Sequence, residues 1–232
     1  MNDTLEIGGL TFHVRHSLRR RTLGLMVGRG AELILNCPVD ADAQKVAKWA
    51  QSKLLWVHRR LARKEQMGEG GYIPEFTTGE NFFYLGRGYR LKVSKQQPES
   101  LSFDGNRFWL QRDAMSNAAK HFRNWYIQHG RMWLTERTAS LVRRTGVSPA
   151  KIDVRDLGFR WGSCGKSLTL CFNWRLLQLP KRLIDYVIVH ELVHLREPYH
   201  GDGFRRLLER ALPDWEQRSE ELRLKGSAFA IL

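Results

Sequence analysis

Residues 186–200 read Tyr-Val-Ile-Val-His-Glu-Leu-Val-His-Leu-Arg-Glu-Pro-Tyr-His, and this stretch carries the residue types and spacing that could do chemistry. His190 and His194 are four apart, so a helix would stack them on one face. Two imidazoles held that way can bind one tetrahedral zinc. Glu191 follows the first histidine, rotated by about 100° on a helix, where it can reach a metal-bound water without being a ligand. A catalytic zinc takes three protein ligands and keeps one position open. His200 supplies the third, because Pro198 ends the helix and turns the chain back. The pattern points to metal-assisted hydrolysis of an amide bond. Zinc would lower the pKa of its water, and Glu191 would take the proton and pass it to the leaving amine. Arg160 and Tyr199 are candidate oxyanion or substrate contacts, alongside Tyr186 and the backbone amides of residues 162–165. Glu197 is a candidate acceptor behind a ligand imidazole.

The elements that must position these groups can be read outward from the motif. Leu183, Ile184, Val187 and Ile188 fall at helical spacing, so a half-buried helix over 181–195 carries the histidines. Strands over 151–155 and 168–173 flank a loop at 160–166. A last helix starts near Asp202 with Phe204, Leu207, Leu208 and Ala211 on one side, and Pro213-Asp214 restarts it for another turn or three. Asp113 opens a long helix with Phe122, Tyr126, Met132, Trp133 and Leu141 along its apolar side. It runs to Gly146, with a bend expected at Gly130.

The N-terminal half is built differently. Gly8-Gly9 and Gly28-Arg29-Gly30 punctuate two hairpins before residue 36. Pro38 and Asp40 open a helix of about 25 residues, striped by Val46, Ala50, Leu54, Val57 and Leu61 and widened by Trp49 and Trp56. Lys48, Arg59, Arg63 and Lys64 fall on its opposite face. After a connection over 67–79, two further hairpins turn at Gly86-Arg87-Gly88 and Asp104-Gly105-Asn106. The composition shifts from hairpins to helix near residue 112.

Arg160-Trp161-Gly162-Ser163-Cys164, Asn173-Trp174-Arg175-Leu176, Pro180, Tyr186-Val187, the three histidines and Phe204 together resemble the signature of the YgjP-like metallopeptidase family, itself related to the SprT-like zinc peptidases. The histidine spacing also equals that of the metzincins, but those need Gly where this chain has Glu197. The elements and the shift near residue 112 together give an α+β fold in two parts. Residues 1–112 would form a β-hairpin-rich region with one long helix, and residues 113–232 a helical, zincin-like HExxH metal-dependent hydrolase domain with a small sheet. The resemblance implies a peptidase-like hydrolase with one zinc per chain, or another divalent metal, on His190, His194 and His200 and with Glu191 as catalytic acid/base; it does not settle the substrate, for which a peptide or protein is the first reading. For this family, hydrolysis of uridine triphosphate to monophosphate and pyrophosphate has also been put forward.

Composition bears on that alternative. The chain of 232 residues has a formal net charge of +14. Residues 1–112 carry 18 Lys+Arg against 11 Asp+Glu, and 113–232 carry 20 against 13, so each half is +7 and no basic tail accounts for the excess. Such a balance suits nucleotides or nucleic acid as partners. There is no Gly-x-x-x-x-Gly-Lys-Ser/Thr phosphate loop. A non-enzymatic reading, a basic nucleic-acid-binding protein with a structural metal, would ask for a fourth ligand, for which Cys164 is the candidate. Three cysteines (Cys37, Cys164 and Cys171) without a Cys-x-x-Cys pair suit a reduced, cytoplasmic setting. No basic segment followed by an apolar run opens the chain, and no apolar run is long enough to span a membrane.

Overall fold

A computed structural model of the chain describes residues 3–28, 32–58, 61, 74–158, 160–165 and 167–232. It forms two compact units, Met1–Gly71 and Tyr72–Leu232.

The first unit is a four-stranded sheet with a helix. Strands β1 (Asp3–Ile7), β2 (Leu10–Ser17), β3 (Gly24–Val27) and β4 (Leu33–Pro38) lie in the order β1-β2-β4-β3. Gly8 and Gly9 both take positive φ (58° and 75°), as a two-residue hairpin turn with the right twist demands. The hairpins join through a parallel pairing of β2 with β4, which glycine punctuation alone does not disclose. The turn expected at Gly28-Arg29-Gly30 lies partly outside the described residues. Helix α1 (Ala43–Ser52) is capped by Asp42, not Asp40; its carboxylate accepts the Gln44 and Lys45 amides at 2.8 and 3.0 Å. The expected 25-residue helix is interrupted at Lys53 and helical again over 54–58; Arg59, Arg63, Lys64 and most of the connection over 67–79 lie outside the described residues. Val46, Ala50 and Val57 are buried against Phe12, Leu33 and Leu35, with Leu54, Leu61 and Trp49 packed beside them. Trp56 instead stays 46% exposed.

The second unit opens with a sheet of the same order and pairing senses. Strands β5 (Asn81–Tyr84), β6 (Arg87–Ser94), β7 (Leu101–Phe103) and β8 (Arg107–Gln111) run β5-β6-β8-β7, with β6 and β8 parallel. A 3-10 turn (Arg112–Asn117) leads into helix α2 (Ala118–Thr145), which is continuous through Gly130 and ends at Gly146 in the left-handed region. Gly130 is there for close approach, since a Cβ would meet Leu177 at 3.1 Å. Met132, expected on the apolar side, is 65% exposed.

The break expected at residue 112 falls inside this unit. Phe82 and Phe108 pack on Phe122, with ring centroids at 4.2 and 5.2 Å, and the Tyr126 hydroxyl donates to the Phe83 carbonyl. The sheet is therefore one wall of the core that α2 completes, and the change in composition marks a change of element type rather than an edge of packing. The β5–β6 turn is also displaced from the one expected. It is made by Leu85 (φ 50°) and Gly86 (φ 82°), leaving Arg87 and Gly88 in β6. The Leu85 amide donates to the Leu177 carbonyl at 2.7 Å, and a Cβ on Gly86 would lie 2.5 Å from Pro180 Cα.

A second sheet, β10-β11-β9, joins β9 (Lys151–Arg155), β10 (Gly162–Cys164) and β11 (Thr169–Asn173). Gly162–Cys164 is thus an edge strand, not a loop. Helices α3 (Lys181–His194), α4 (Asp202–Ala211) and α5 (Trp215–Phe229) complete the unit. Arg137 of α2 fixes α3 by a two-pronged ion pair to Asp185, at 2.6 and 2.5 Å. The α+β class expected from the sequence is the one observed. Among the described residues no helix is long and apolar enough to cross a membrane.

Candidate metal centre and catalytic cleft

Helix α3 is buried along nearly its whole length. Leu183, Ile184, Ile188, Val189 and Leu192 are inaccessible, so the polar motif residues lie on a helix with no freedom to rotate. Its last turn closes through the Arg196 and Glu197 amides onto the Val193 carbonyl. Pro198 follows, and a tight turn from the Gly201 amide to the Tyr199 carbonyl (2.8 Å) brings His200 back towards the helix.

The three histidine Nε2 atoms then converge. His194 and His200 approach to 3.0 Å, His200 and His190 to 3.1 Å, and all three lie within 4.8 Å of one another. A tetrahedral zinc with ligands at about 2.0–2.1 Å spaces its nitrogens by about 3.3 Å. His194 Nδ1 donates to the Glu197 carbonyl at 3.0 Å, which leaves the Nε2 lone pair facing the centre. The acceptor expected in the Glu197 side chain is thus its main chain. Protons are poorly suited to hold these lone pairs together. Burial, then the neighbouring imidazoles, drives His190 down to about 3, and burial lowers His194 despite its bond to Glu197. The donor set fits a divalent metal ion.

Phe204, on the first turns of α4, is the residue that sequence reasoning left without a role here. Its ring lies 4.9, 4.6 and 4.7 Å from the rings of His190, His194 and His200, and it is 3% exposed. It touches all three imidazoles, edge to face with those of His190 and His200 and tilted against that of His194. Its place on the apolar side of α4 was legible; its contact with the histidines was not.

Glu191 is 6% exposed, and the edge strand closes over it. A Cβ on Gly162 would lie 2.6 Å from Glu191 Oε1. Burial pushes the carboxyl up to about 7, with Arg160 pulling the other way. Arg160 is presented by the turn before β10. Asn173 shapes that turn, its amide donating to the Gly158 and Arg160 carbonyls, both at 3.0 Å. Together Arg160, Gly162, Ser163, Cys164, Gly165, Leu168, Leu195 and Pro198 surround the histidines and Glu191 in a cleft of about 580 Å³. Tyr199 is 84% exposed and does not line it, while Tyr186 is buried beneath, edge-on to His190 at 5.8 Å. Among the described residues Cys164 is outside the metal-ligating group, and burial keeps its thiol protonated by raising its pKa.

An α+β unit that aims imidazoles and a buried carboxyl into one open cleft belongs with the metal-dependent hydrolases. More closely, the chain belongs to the YgjP-like metallopeptidase domain family, whose model matches residues 21–225. The crystal structure of a metallopeptidase zymogen, abylysin of Pyrococcus abyssi, is similar over 40% of this chain and 91% of its own, at 20% identity and a TM-score of 0.36. No curated protein matches the chain.

Proposed function

We propose that the protein is a zinc peptidase in which His190, His194 and His200 hold one zinc ion and Glu191 is the general acid/base. The observation that carries this reading is the convergence of three imidazole nitrogens beside a buried carboxyl in one open cleft. Zinc bound there would supply Lewis acidity, polarising a substrate carbonyl and acidifying water. The chain's own residues supply the rest. A buried carboxyl beside the metal position, its proton affinity raised by burial, can accept a proton from water and return it to a leaving amine. Gly162 leaves just the room that carboxyl needs, and Phe204 packs against the imidazoles. Arg160, at the cleft wall, is placed to stabilise an oxyanion. Tyr199, exposed and off the cleft, is given no such part.

A peptide is favoured over a nucleoside triphosphate because Arg160 is the one Lys or Arg among the described lining residues, and a triphosphate calls for several. The test is one purified preparation of wild type beside Glu191→Gln, measured for metal and for cleavage of an unfolded protein. About one zinc per chain in both, with cleavage in wild type alone, is the expected result. Absence of bound metal from both overturns the proposal, as does pyrophosphate release from nucleoside triphosphates in place of peptide cleavage.

A further inference from the structure

Three bulky residues among those described hold left-handed backbone: Phe76 (φ 58°), Leu85 (φ 50°) and Leu168 (φ 54°). L-residues with a large side chain avoid this region, and such a conformation persists where something else compensates for it. For the first two the compensation is core packing. Phe76 stacks on Phe82 at 5.7 Å, and Leu85 lies against the buried cluster with its amide bonded to Leu177. Leu168 has no such support. It is outside the hydrophobic core and 46% exposed.

Its backbone is nonetheless held firmly at the tip of the β10–β11 hairpin. The Leu168 carbonyl accepts the Ala150 amide at 2.9 Å, and the Gly165 amide donates to the Thr169 carbonyl at 2.9 Å. This leucine is therefore exposed, apolar and in a backbone conformation that Asn or Gly would adopt at less cost. It also lines the cleft that holds Glu191 and the histidines. Leu195 and Pro198 line the same cleft, so its apolar surface comes from both the hairpin and the end of α3.

We infer that Leu168, with Leu195 and Pro198, forms an apolar subsite that receives a Leu-, Met- or Phe-like side chain next to the scissile bond, so that Leu168 sets cleavage-site preference. The inference rests on the peptidase reading above. A partly exposed leucine gains most from a partner that covers it, and an apolar side chain in an extended peptide would do so. The described lining has a single guanidinium, Arg160, and a single carboxyl, Glu191, both needed near the reacting carbonyl; the rest of the surface offers little to a charged side chain.

The test compares the zinc-loaded full chain with Leu168→Asn and Leu168→Met. Asn removes the apolar surface and tolerates the left-handed conformation, so the fold is kept, as a thermal melt would verify. Two peptides differing only by Leu or Ser beside the scissile bond are cleaved in parallel. Wild type should prefer the Leu peptide by about 10–100-fold in kcat/KM. Leu168→Met should retain that preference, and Leu168→Asn should reduce it to about threefold or less. The same peptides, fluorescently labelled, are titrated into Glu191→Gln with and without Leu168→Asn. Cleavage with a preference that Leu168→Asn leaves unchanged overturns the subsite and spares the peptidase reading. Binding of the Leu peptide that depends on Leu168, without cleavage by wild type, overturns the peptidase reading and spares the subsite. Neither cleavage nor binding overturns both.

Discussion

Gly162→Ala adds one methyl group at the point where the edge strand meets the carboxyl of Glu191. The new Cβ would lie 2.6 Å from Glu191 Oε1, 2.7 Å from Cγ and 2.9 Å from Cδ. Ordinary carbon contacts begin at about 3.5 Å, so a retreat of roughly 0.8 Å is required. The strand is poorly free to make it: Gly162 is registered opposite Phe172, which is inaccessible, and Asn173 ties the preceding turn. Helix α3 is locked in the core, so the side chain of Glu191 must swing. A displacement near 1 Å at a reacting group costs about 100-fold in rate, or about 2.7 kcal/mol of transition-state stabilisation. The imidazoles are not touched, so zinc content should stay at wild type. The expected outcome is a kcat about 100-fold lower with KM little changed, as the proposed acid/base role of Glu191 requires. The double variant Gly162→Ala, Glu191→Gln should be little slower than Glu191→Gln alone, because both changes strike one group. A kcat within threefold of wild type refutes the steric reasoning. A full extra loss on top of Glu191→Gln would show that Gly162 acts through another residue.

Linkage supplies a second prediction, read from denaturation of metal-free protein against pH. With its carboxyl raised to about 7 in the fold against 4.5 ordinarily, Glu191 penalises the native state when ionised, by about 3 kcal/mol above pH 7. Stability should therefore rise as pH falls from 8 to about 6.5, and Glu191→Gln should be more stable at pH 8 without that rise. His190, lowered to about 3, works in the opposite sense: its contribution is present above 6.5 and lost as pH falls towards 3. Below 6.5 the His190 slope offsets that of Glu191, and His194, also lowered by burial, adds to the loss, so stability should fall from about 6.5 and more steeply below 4.5. Arg137→Ala strands Asp185, whose side chain is 13% exposed, and should cost about 3–5 kcal/mol in urea unfolding, with much of it recovered by adding Asp185→Asn. Phe204→Ala should cost about 3–5 kcal/mol and weaken zinc retention against a chelator by about 10–100-fold.

The motif helix was legible because its signals are local. Four-residue histidine spacing and the apolar residues at i and i+4 depend on one element alone, and Pro198 marks its end without reference to anything distant. The hairpins were legible for the same reason, through their glycines. What escaped depends on distant parts of the chain. The β5–β6 turn falls on Leu85-Gly86 because Leu177 and Pro180 wait for it, while Gly86-Arg87-Gly88 reads equally well as a turn in isolation. Strand β10 is only three residues long and has no alternating pattern, so pairing with Leu170–Phe172 alone reveals it. Asp113 reads as a helix cap, yet it lies in the first turn of a 3-10 segment that begins at Arg112, because the chain must first pass from β8 onto α2. Phe204, Gly162 and Leu168 take their meaning from the cleft. Each looks ordinary where it stands in the chain: an apolar helix residue, a glycine, and a leucine at the edge of a strand.

The repeated strand order of the two large sheets bears on how the polypeptide assembles during synthesis. Phe12 pairs with Leu33 and Arg90 with Arg107, so each sheet closes loops of only about 20 residues. Each can form soon after its own strands have left the ribosome. The cleft has no such locality. It requires Leu85 to find Leu177, Gly162 to close over Glu191, and Phe204 to pack against His190, and each of these later partners is made well after both sheets. A nascent chain would thus carry finished sheets well before it could cut anything, which keeps hydrolytic capacity out of the half-made protein.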